Sequence, residues 1–357
     1  MDITKLPRRL SGGAWPTSHV QGIAVNLQKG YICYSFTTML VKTDLSGNLI
    51  GTVDGLVGHL GCIAYNAGDG RVWGSLEFKN DVIGKGILRG LGRAVDTVTE
   101  NAFYAVAFDA DRIDRVGLDA ERDGIMTAVY LPDVAADFAA EGENGHPHRY
   151  GCSGIDGLSF GPAFGAASDS PAQMMVAYGI YGDTARRDND HQVLLQYDWR
   201  ALRAYERPLS QAAPHHSGPA ADARYFFYTG NTTFGVQNLC YDPTSNNWLL
   251  AVYRGKKPQF PNYSLYIIDG SVAPRRARLA GLPEEGLLLQ QAALGVLHGE
   301  SGIRGYQFRW GTTGLEALGD GYFYVSHEGK TAQGLQTSVV QLYRFTGALP
   351  DGFEPVE

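Results

Sequence analysis

The chain has 357 residues, of which 44% are hydrophobic, and a formal net charge of -7. A chain of this length and composition can bury a sizeable core. Its mildly acidic balance, without a run of basic residues, argues against nucleic acid or an anionic membrane as a partner. Because the N-terminus lacks the apolar region of a signal peptide and no segment could span a bilayer, we expect a cytoplasmic protein, or an extracytoplasmic one if a signal peptide was removed.

Five stretches of the chain follow one short pattern, in which a strand of small residues is followed by a turn and an aromatic-rich strand. β-Branched and aromatic residues recur with alternating polar residues, and Gly, Asn or Asp bounds most segments, which predicts strands. The paired strands fall within 19–35, 59–75, 154–179, 235–253 and 314–326, and a third strand follows each pair at 39–44, 103–109, 192–198, 264–269 and 338–344. Such repeats predict an all-β fold, a five-bladed β-propeller of four-stranded antiparallel blades.

We expect a single propeller domain over residues 1–357. The blades are predicted at about 18–57, 58–132, 150–210, 224–280 and 303–347. Because no fourth strand is evident after Phe345, the N-terminal segment around Ile3 to Leu10 is expected to close the last blade.

Three segments depart from the strand pattern. The Ala-rich segment 133–141 favours a short helix. The Gly-rich segment 84–92 is predicted to be a flexible loop, and 286–297 could be a helix or an outer strand. We interpret 133–141 and 286–297 as additions to the blades, and 84–92 as part of an insertion between strands.

Polar side chains recur at one level of the innermost strands, which line the central channel of a propeller. When the repeats are aligned on the polar residue that ends each first strand, Gln21 superposes on Gln237, and Asp156 and Glu316 fall near the same level. Carboxylate and amide oxygens suit a hard divalent cation such as Ca²⁺. The predicted metal ligands are therefore Gln21, Asp156, Gln237 and Glu316, unless these groups bond to one another and to water in a wet channel. No organic cofactor is expected.

Histidines and other polar residues crowd the same predicted face. Histidine can move a proton or bind a metal near neutral pH. Aromatic rings stack on apolar ligand faces, and arginine can bind a carboxylate or phosphate with two hydrogen bonds. The alternative is ordinary polarity on long surface loops. The predicted substrate-binding residues are His19, Tyr181, Arg254, Lys256, Asn231 and Gln237.

Five blades with a polar axial site resemble the five-bladed propeller enzymes of carbohydrate metabolism, the arabinanase and fructosidase-like hydrolases. They also resemble the calcium-activated nucleotidases. The resemblance covers almost the whole chain at the level of architecture, and His19 and Gln21 stand where the hydrolases have an Asp at the start of the first blade. It implies either glycosidic bond cleavage or calcium-dependent hydrolysis of a nucleotide phosphate.

The candidate residues suit two ways of cleaving a glycosidic bond. A hydrolase needs two carboxyl groups that flank the bond. A lyase acting beside a uronate needs a base, with a cation to stabilise the enolate. The sequence therefore predicts an enzyme that cleaves an oligosaccharide at the axial face, as hydrolase or lyase. The alternatives are a calcium-dependent nucleotide phosphohydrolase and a non-catalytic sugar-binding propeller, and the oligomeric state is left open. The predicted catalytic residues are Asp156, Glu77, His59, His148, His216, Glu316 and His327.

Overall fold

A computed structural model of the chain describes residues 3–96, 100–142 and 145–357. Strands dominate it, as the repeated alternation of apolar and polar residues predicts. In chain order the strands are β1 (Arg9–Trp15), β2 (Val20–Asn26), β3 (Tyr31–Phe36), β4 (Met39–Asp44), β5 (Leu49–Asp54), β6 (His59–Asn66), β7 (Arg71–Phe78), β8 (Ala102–Phe108), β9 (Leu118–Asp119), β10 (Met126–Tyr130), β11 (Cys152–Gly161), β12 (Gln173–Ile180), β13 (His191–Tyr197), β14 (Ala223–Tyr228), β15 (Thr232–Asp242), β16 (Asn247–Arg254), β17 (Leu265–Asp269), β18 (Arg275–Arg278), β19 (Glu285–Leu288), β20 (Val296–Leu297), β21 (Arg304–Gly305), β22 (Leu315–Gly319), β23 (Tyr322–Lys330), β24 (Gln336–Phe345) and β25 (Phe353–Pro355).

The strands form five small, mainly antiparallel sheets, which are the blades of a five-bladed β-propeller. Their strand orders, from the innermost strand outward, are β2-β3-β4-β5-β9 for blade 1, β6-β7-β8-β10 for blade 2, β11-β12-β13-β14-β19-β18 for blade 3, β15-β16-β17 for blade 4 and β22-β23-β24-β1 for blade 5, with β25 also on β24. The predicted fold class is confirmed.

Five hydrophobic layers hold the ring together, one between each pair of neighbouring blades. Between blades 1 and 2, for example, Leu40 of β4 and Tyr104 of β8 belong to one buried cluster. Corresponding clusters lie between blades 2 and 3, 3 and 4, 4 and 5, and 5 and 1. Each blade therefore buries both of its faces, which accounts for strands that are buried almost throughout.

The N-terminal strand pairs with the last blade, so that the two ends of the chain share one sheet. β1 runs antiparallel to β24, from Arg9 opposite Gln341 to Trp15 opposite Gln336. The paired segment begins later than the predicted one, because Ile3–Lys5 forms a 3₁₀ turn before the strand. Leu10 turns inward and joins the cluster between blades 5 and 1.

Four blades differ from the predicted four strands. Blades 1 and 5 each gain one short strand, β9 and β25. Blade 4 has three strands within the part of the chain that the structure describes, and isolated bridges to Tyr306 and Gln291 cover part of its outer edge. Blade 3 has six strands. The segment Ala223–Tyr228, predicted to open blade 4, instead pairs antiparallel with β13 of blade 3. Residues 285–288, within the segment predicted as a helix or an outer strand, extend blade 3 by pairing parallel to β14.

The helices are short: α1 (Val82–Gly90), α2 (Pro132–Ala139) and α3 (Trp199–Leu202), with further 3₁₀ turns at Ala110–Arg112 and Arg149–Gly151. The predicted helix near 133–141 is confirmed as α2. The prediction of a loop at 84–92 is wrong, because Asp81 caps α1 by accepting from the N–H of Gly84, and Ile87 and Leu88 are buried. Cap and burial together outweigh the low helix propensity of its glycines. None of the helices in the described residues has the length and apolar character to cross a bilayer.

We predict that closure of the ring depends on the apolar side of β1. Leu10→Ala should lower the free energy of unfolding by about 2–5 kcal/mol, because it leaves a cavity in a buried cluster. The exposed neighbour Ser11 is the matched control, and Ser11→Ala should stay within about 0.5 kcal/mol of the unmodified protein. Urea unfolding of both variants measures the difference. Equal stability of the two would show that β1 is not integral to the fold.

Candidate active site at the axis

Four innermost strands carry a β-bulge at the same level, near the end where the chain enters the blade. In β6 the shift lies between Leu60 and Ile63, and in the other three strands the extra residue is polar: Gln21 in β2, Asp156 in β11 and Gln237 in β15. A bulge re-aims a side chain relative to regular alternation, and bulges are frequent beside active sites. All three side chains are buried near the axis. The bulges lie at the level of the innermost strands where the aligned sequence repeats predict polar residues.

The bulged residues meet neighbours rather than forming one ring. Gln237 Nε2 donates to Asp156 Oδ2 at 3.1 Å. Gln21 Nε2 lies 3.1 Å from His19 Nε2 and donates to Thr37 at 3.2 Å. Of the four predicted metal ligands, Asp156 and Gln237 are therefore in direct contact.

Glu316 lies at a different level from the bulged residues. It pairs in regular register with Tyr324, without a bulge, and its carboxylate faces the backbone N–H of Val25, near the far end of β2. Burial raises its pKa to about 8. The structure therefore places Glu316 deeper along the axis than Asp156.

A compact group of charged residues, which we call the axial cluster, consists of His59, Glu77, Lys79 and Asp156. His59 and Glu77 lie directly opposite each other on β6 and β7, where cross-strand side chains touch. His59 Nδ1 is 3.7 Å from Glu77 Oε1 and 3.5 Å from Asp156 Oδ1. This nitrogen is buried and has no hydrogen-bond partner within the described residues.

Lys79 ties Glu77 to the wall of the channel. The two residues are two positions apart at the end of β7, so their side chains leave the strand on the same side. The ammonium of Lys79 contacts Glu77 Oε1 and donates to the carbonyl oxygen of Ser153 at 2.7 Å. The other oxygen of Glu77 accepts from the N–H of Ile155 at 2.9 Å. Glu77 is thus held on both oxygens, and its side chain is only 2% exposed.

Gly154 makes room for this arrangement. Its φ of +122° lies in a region that L side chains rarely adopt, and a Cβ built there would lie 1.9 Å from Glu77 Oε2. Glycine is the residue that permits both the conformation and the close approach.

Burial dominates the electrostatics of the axial cluster. It lowers the pKa of His59 to about 3, with further lowering by Lys79 and His19, so that the imidazole is neutral at pH 7. Burial raises the pKa of Asp156 to about 6, against the opposing effects of Lys79 and the hydrogen bond from Gln237. It also raises the pKa of Glu77, although the Lys79 ammonium opposes this. Burial disfavours the charged form of Lys79, but Glu77, Asp81 and Asp156 outweigh it and raise its pKa.

Tyr181 and His148 adjoin the axial cluster through Asp81. The hydroxyl of Tyr181 donates to Asp81 Oδ2 at 2.8 Å, and Lys79 Nζ lies 3.9 Å from the same oxygen. The His148 ring lies 5.2 Å from that of Tyr181. The structure therefore places these two predicted site residues beside the cluster.

Four other predicted residues lie elsewhere. His216 is 56% exposed, pairs with Glu100 and packs on Tyr130 of β10, the outermost strand of blade 2. Three strand spacings, or roughly 14 Å, separate β10 from the innermost strand. Asn231 is buried and accepts from the backbone N–H of the exposed Lys256, so it fixes a loop. His327 stacks on Trp310 beside the last blade.

The axial cluster has the atoms of a metal site but is a poor fit for a divalent cation. One atom each of His59, Glu77 and Asp156 lies within 4.8 Å of the others, a set that shares only Asp156 with the predicted ligands. However, the ammonium of Lys79 contacts Glu77 Oε1, the same oxygen that faces His59. Two cations at one carboxylate oxygen would repel each other in a buried site. We therefore derive no chemistry from a metal here.

A cavity of about 630 Å³, which we call the arginine pocket, opens beside the axis between blades 4 and 5. Tyr253 joins it to the axial cluster. This residue lines the cavity, and burial, together with nearby Glu328 and Asp156, raises the pKa of its phenol to about 12. The lining residues are Val252, Tyr253, Arg254, Ser264, Gln307, Arg309, Trp310, Thr312, Thr313 and Glu328.

The site predicted from the sequence lacks Lys79 of the axial cluster, and Arg309 and Trp310 of the arginine pocket. Lys79 could have been found from its spacing to Glu77, since alternate residues of a strand share a face. Arg309 and Trp310 lie in an irregular segment before β22, where no periodic signal assigns them to a surface.

Fold and site together define a five-bladed propeller with a charged axial site and an adjoining pocket. No protein-family model matches the chain. No curated protein matches its sequence.

Similar solved structures come from several proteins. The Dos1 propeller matches with a TM-score of 0.35 and 10% identity over 95% of this chain, which spans 58% of the length of that one. The holo PQQ domain of pyranose dehydrogenase from Coprinopsis cinerea gives 0.35 and 12%, covering 90% and 81% of the two chains. The apo soluble aldose sugar dehydrogenase from Escherichia coli gives 0.36 and 9%, covering 92% and 97%. We base no functional argument on similarities at this level.

We predict that Lys79 is needed to keep Glu77 buried. Lys79→Met should lower the free energy of unfolding by about 3–5 kcal/mol, because it leaves a buried carboxylate without its partner. Lys29, whose ammonium pairs with Asp111 on the surface, is the control, and Lys29→Met should cost at most about 1 kcal/mol. Adding Glu77→Gln to Lys79→Met should restore part of the loss. Equal effects of the two lysine variants in chemical unfolding would contradict this.

A second prediction concerns pH. Because the pKa of Asp156 is raised from 3.8 to about 6 in the folded protein, its contribution to stability is fully present below about pH 4 and is lost as pH rises through 6. Asp156→Asn removes this dependence. The stability of the variant relative to the unmodified protein should therefore increase between pH 4 and 6 and level off above. Unfolding measured across this range tests the sign, and a difference independent of pH would refute the raised pKa.

Proposed function

We propose that the chain is an enzyme that cleaves a glycosidic bond in a small acidic oligosaccharide, with His59 and Asp156 as the proton-transferring pair. The proposal rests on one juxtaposition: a buried imidazole and carboxylate lie 3.5 Å apart, and the carboxylate is within electrostatic reach of Tyr253, which lines a cavity of about 630 Å³. That volume falls in the range of small-molecule sites. A relation to the arabinanase and fructosidase-like hydrolases or to the nucleotidases beyond the shared architecture remains a prediction.

The surroundings of His59 suit a general base. A neutral imidazole carries one proton, and two carboxyl groups near Nδ1 favour the proton on that nitrogen. Nε2 is then free to accept a proton from a substrate. Asp156, with its pKa near 6, can carry the proton that a leaving oxygen needs.

The position of Glu77 favours elimination over hydrolysis. A hydrolase needs two carboxyl groups on either side of the glycosidic bond. Glu77 is held by Lys79 and by the N–H of Ile155 and is almost fully buried, so it cannot flank a substrate. A lyase needs a base and an acid near a uronate, which His59 and Asp156 can supply, and a cation at the uronate carboxylate, which the arginines lining the cavity can supply.

In the proposed elimination, His59 removes the proton from the carbon next to the uronate carboxylate. The electron pair of that C–H bond forms a C=C bond as the C–O bond to the neighbouring sugar breaks. Protonated Asp156 then gives its proton to the leaving oxygen, so that one unsaturated uronate and one free sugar hydroxyl result. Because the two side chains are neighbours, we expect base and acid to act on the same face of the ring.

We predict that His59→Gln and Asp156→Asn each slow cleavage about a hundredfold or more, since each removes a group that transfers a proton. His216→Gln is the matched control and should retain full activity, because His216 packs on the outermost strand of blade 2. The assay follows unsaturated uronate by absorbance and new reducing ends in parallel, with acidic oligosaccharides as substrates.

The outcomes separate the candidate reactions. Reducing ends with unsaturated product support elimination, and reducing ends alone would support hydrolysis. Release of phosphate from a nucleoside diphosphate would favour the nucleotidase alternative. Full activity of Asp156→Asn on any of these substrates would overturn the placement of the site.

A further inference from the structure

We propose that the arginine pocket binds the carboxylate of a sugar acid through the guanidinium groups of Arg254 and Arg309. The inference deepens the proposed function, on which it rests for the reaction that follows binding. The binding itself can be measured without any turnover.

The two guanidinium groups are held in place by their surroundings. Arg254 Nε donates to the carbonyl oxygen of Asn262 at 2.9 Å, which fixes one edge of its planar group. The Arg309 guanidinium lies 4.6 Å from the centre of the Trp310 ring, at the distance of a cation–π contact. Both cations are therefore partly ordered before a ligand arrives, which lowers the entropy cost of binding.

Trp310 is itself supported from behind. His327 stacks on it with ring centres 4.0 Å apart and an angle of 14° between the planes. His327 Nε2 in turn lies 3.1 Å from the hydroxyl of Tyr343. Burial, with smaller effects of Arg9 and Arg309, lowers the pKa of His327 to about 4, so the ring is neutral beside the cation. The sequence predicts a catalytic His327, whereas these contacts assign it to the support of the pocket.

The charge of the pocket suits an anion of limited size. Neither Arg254 nor Arg309 forms an ion pair with any residue that the structure describes. Glu328 is the acidic residue among those lining the cavity, so the lining carries a net charge of +1. Glu328 lies on the axial side, since it influences the pKa values of both His19 and Tyr253. The charges therefore favour a ligand whose carboxylate lies at the arginines and whose neutral part lies towards the axis.

The pocket also offers groups for hydroxyls. Gln307 lines it, and the side-chain oxygen of Gln307 is buried without a hydrogen-bond partner among the described residues. An unpaired buried acceptor costs free energy, and a donor such as a sugar hydroxyl would satisfy it. Two ordered cations, a free acceptor and a tyrosine ring together match a carboxylated sugar better than a simple inorganic anion.

The test is calorimetric titration with glucuronate, glucose and inorganic phosphate. The unmodified protein is the reference, since none of these three probes contains a glycosidic bond that it could cleave. We expect glucuronate to bind at least about tenfold more tightly than glucose, because a charge-assisted hydrogen bond is worth that factor or more. Arg254→Met and Arg309→Met should each weaken glucuronate binding at least about tenfold. Arg309→Lys, which keeps the charge but loses the planar fork, should fall between.

Arg276→Met is the control, since Arg276 is an exposed arginine on β18 of blade 3, away from the pocket, and its loss should leave binding unchanged. Equal binding of glucose and glucuronate, or unchanged affinity in Arg309→Met, would overturn the inference. So would phosphate binding as tightly as glucuronate, which would indicate a general anion site. Specific glucuronate binding without cleavage of any acidic oligosaccharide would refute the proposed function and leave this site standing. Cleavage of an acidic oligosaccharide, with unchanged glucuronate affinity in the arginine variants, would support the proposed function and refute this site.

Discussion

Close approach of the innermost strands at the axis is the constraint on which the site depends. Blades 1 and 2 approach so tightly that a Cβ on Gly22 would lie 2.8 Å from the backbone nitrogen of Ile63. Such packing leaves little room for water around the side chains that point inward. Burial is consequently the largest influence on the pKa values of His59, Glu77 and Asp156. The ring closure that stabilises the fold therefore also gives a histidine that is neutral and a carboxylic acid that retains its proton near pH 6.

The buried Lys79–Glu77 pair is better explained by chemistry than by stability. Moving two charges out of water costs about as much as their attraction returns, and apolar residues of similar size often serve a fold as well. Here the pair fixes Glu77 beside His59, and Gly154 adopts an unusual conformation to admit it. Natural proteins depart from simple packing rules mainly at functional sites. A second buried cation, Lys257, shows the contrast, because its contacts to Asn189 and Asp190 join loops of blades 3 and 4.

Much of the fold follows from the sequence because strand periodicity is local. The blade strands recur with their turns, so all five repeats appear without knowledge of contacts. Features that depend on distant partners do not follow from the sequence in this way. The Gly-rich α1 forms because Asp81 caps it and its apolar side is buried, and Ala223–Tyr228 belongs to blade 3 because it pairs with β13. The residues of the candidate site can likewise be predicted only in part. Gln21, Asp156 and Gln237 align because each occupies a bulge, while Glu316, which pairs regularly with Tyr324, aligns in sequence but lies deeper. The outward position of His216 depends on which strand its loop covers.

The five interfaces between blades are alike in character, yet the polar residues at the axis are not, and this asymmetry determines what the molecule can do. The proposed proton-transferring pair comes from blades 2 and 3, whereas the cations of the arginine pocket come from blade 4 and the segment before blade 5. In the proposed function, the first set reacts with the ligand and the second binds it. Tyr253 connects the two sets, because it is within electrostatic reach of both Asp156 and Glu328. A ligand whose carboxylate is bound by the two arginines would extend past Tyr253 towards His59. Closure of the ring brings these distant parts of the chain together, and it would thereby place the bond to be cleaved beside the base His59.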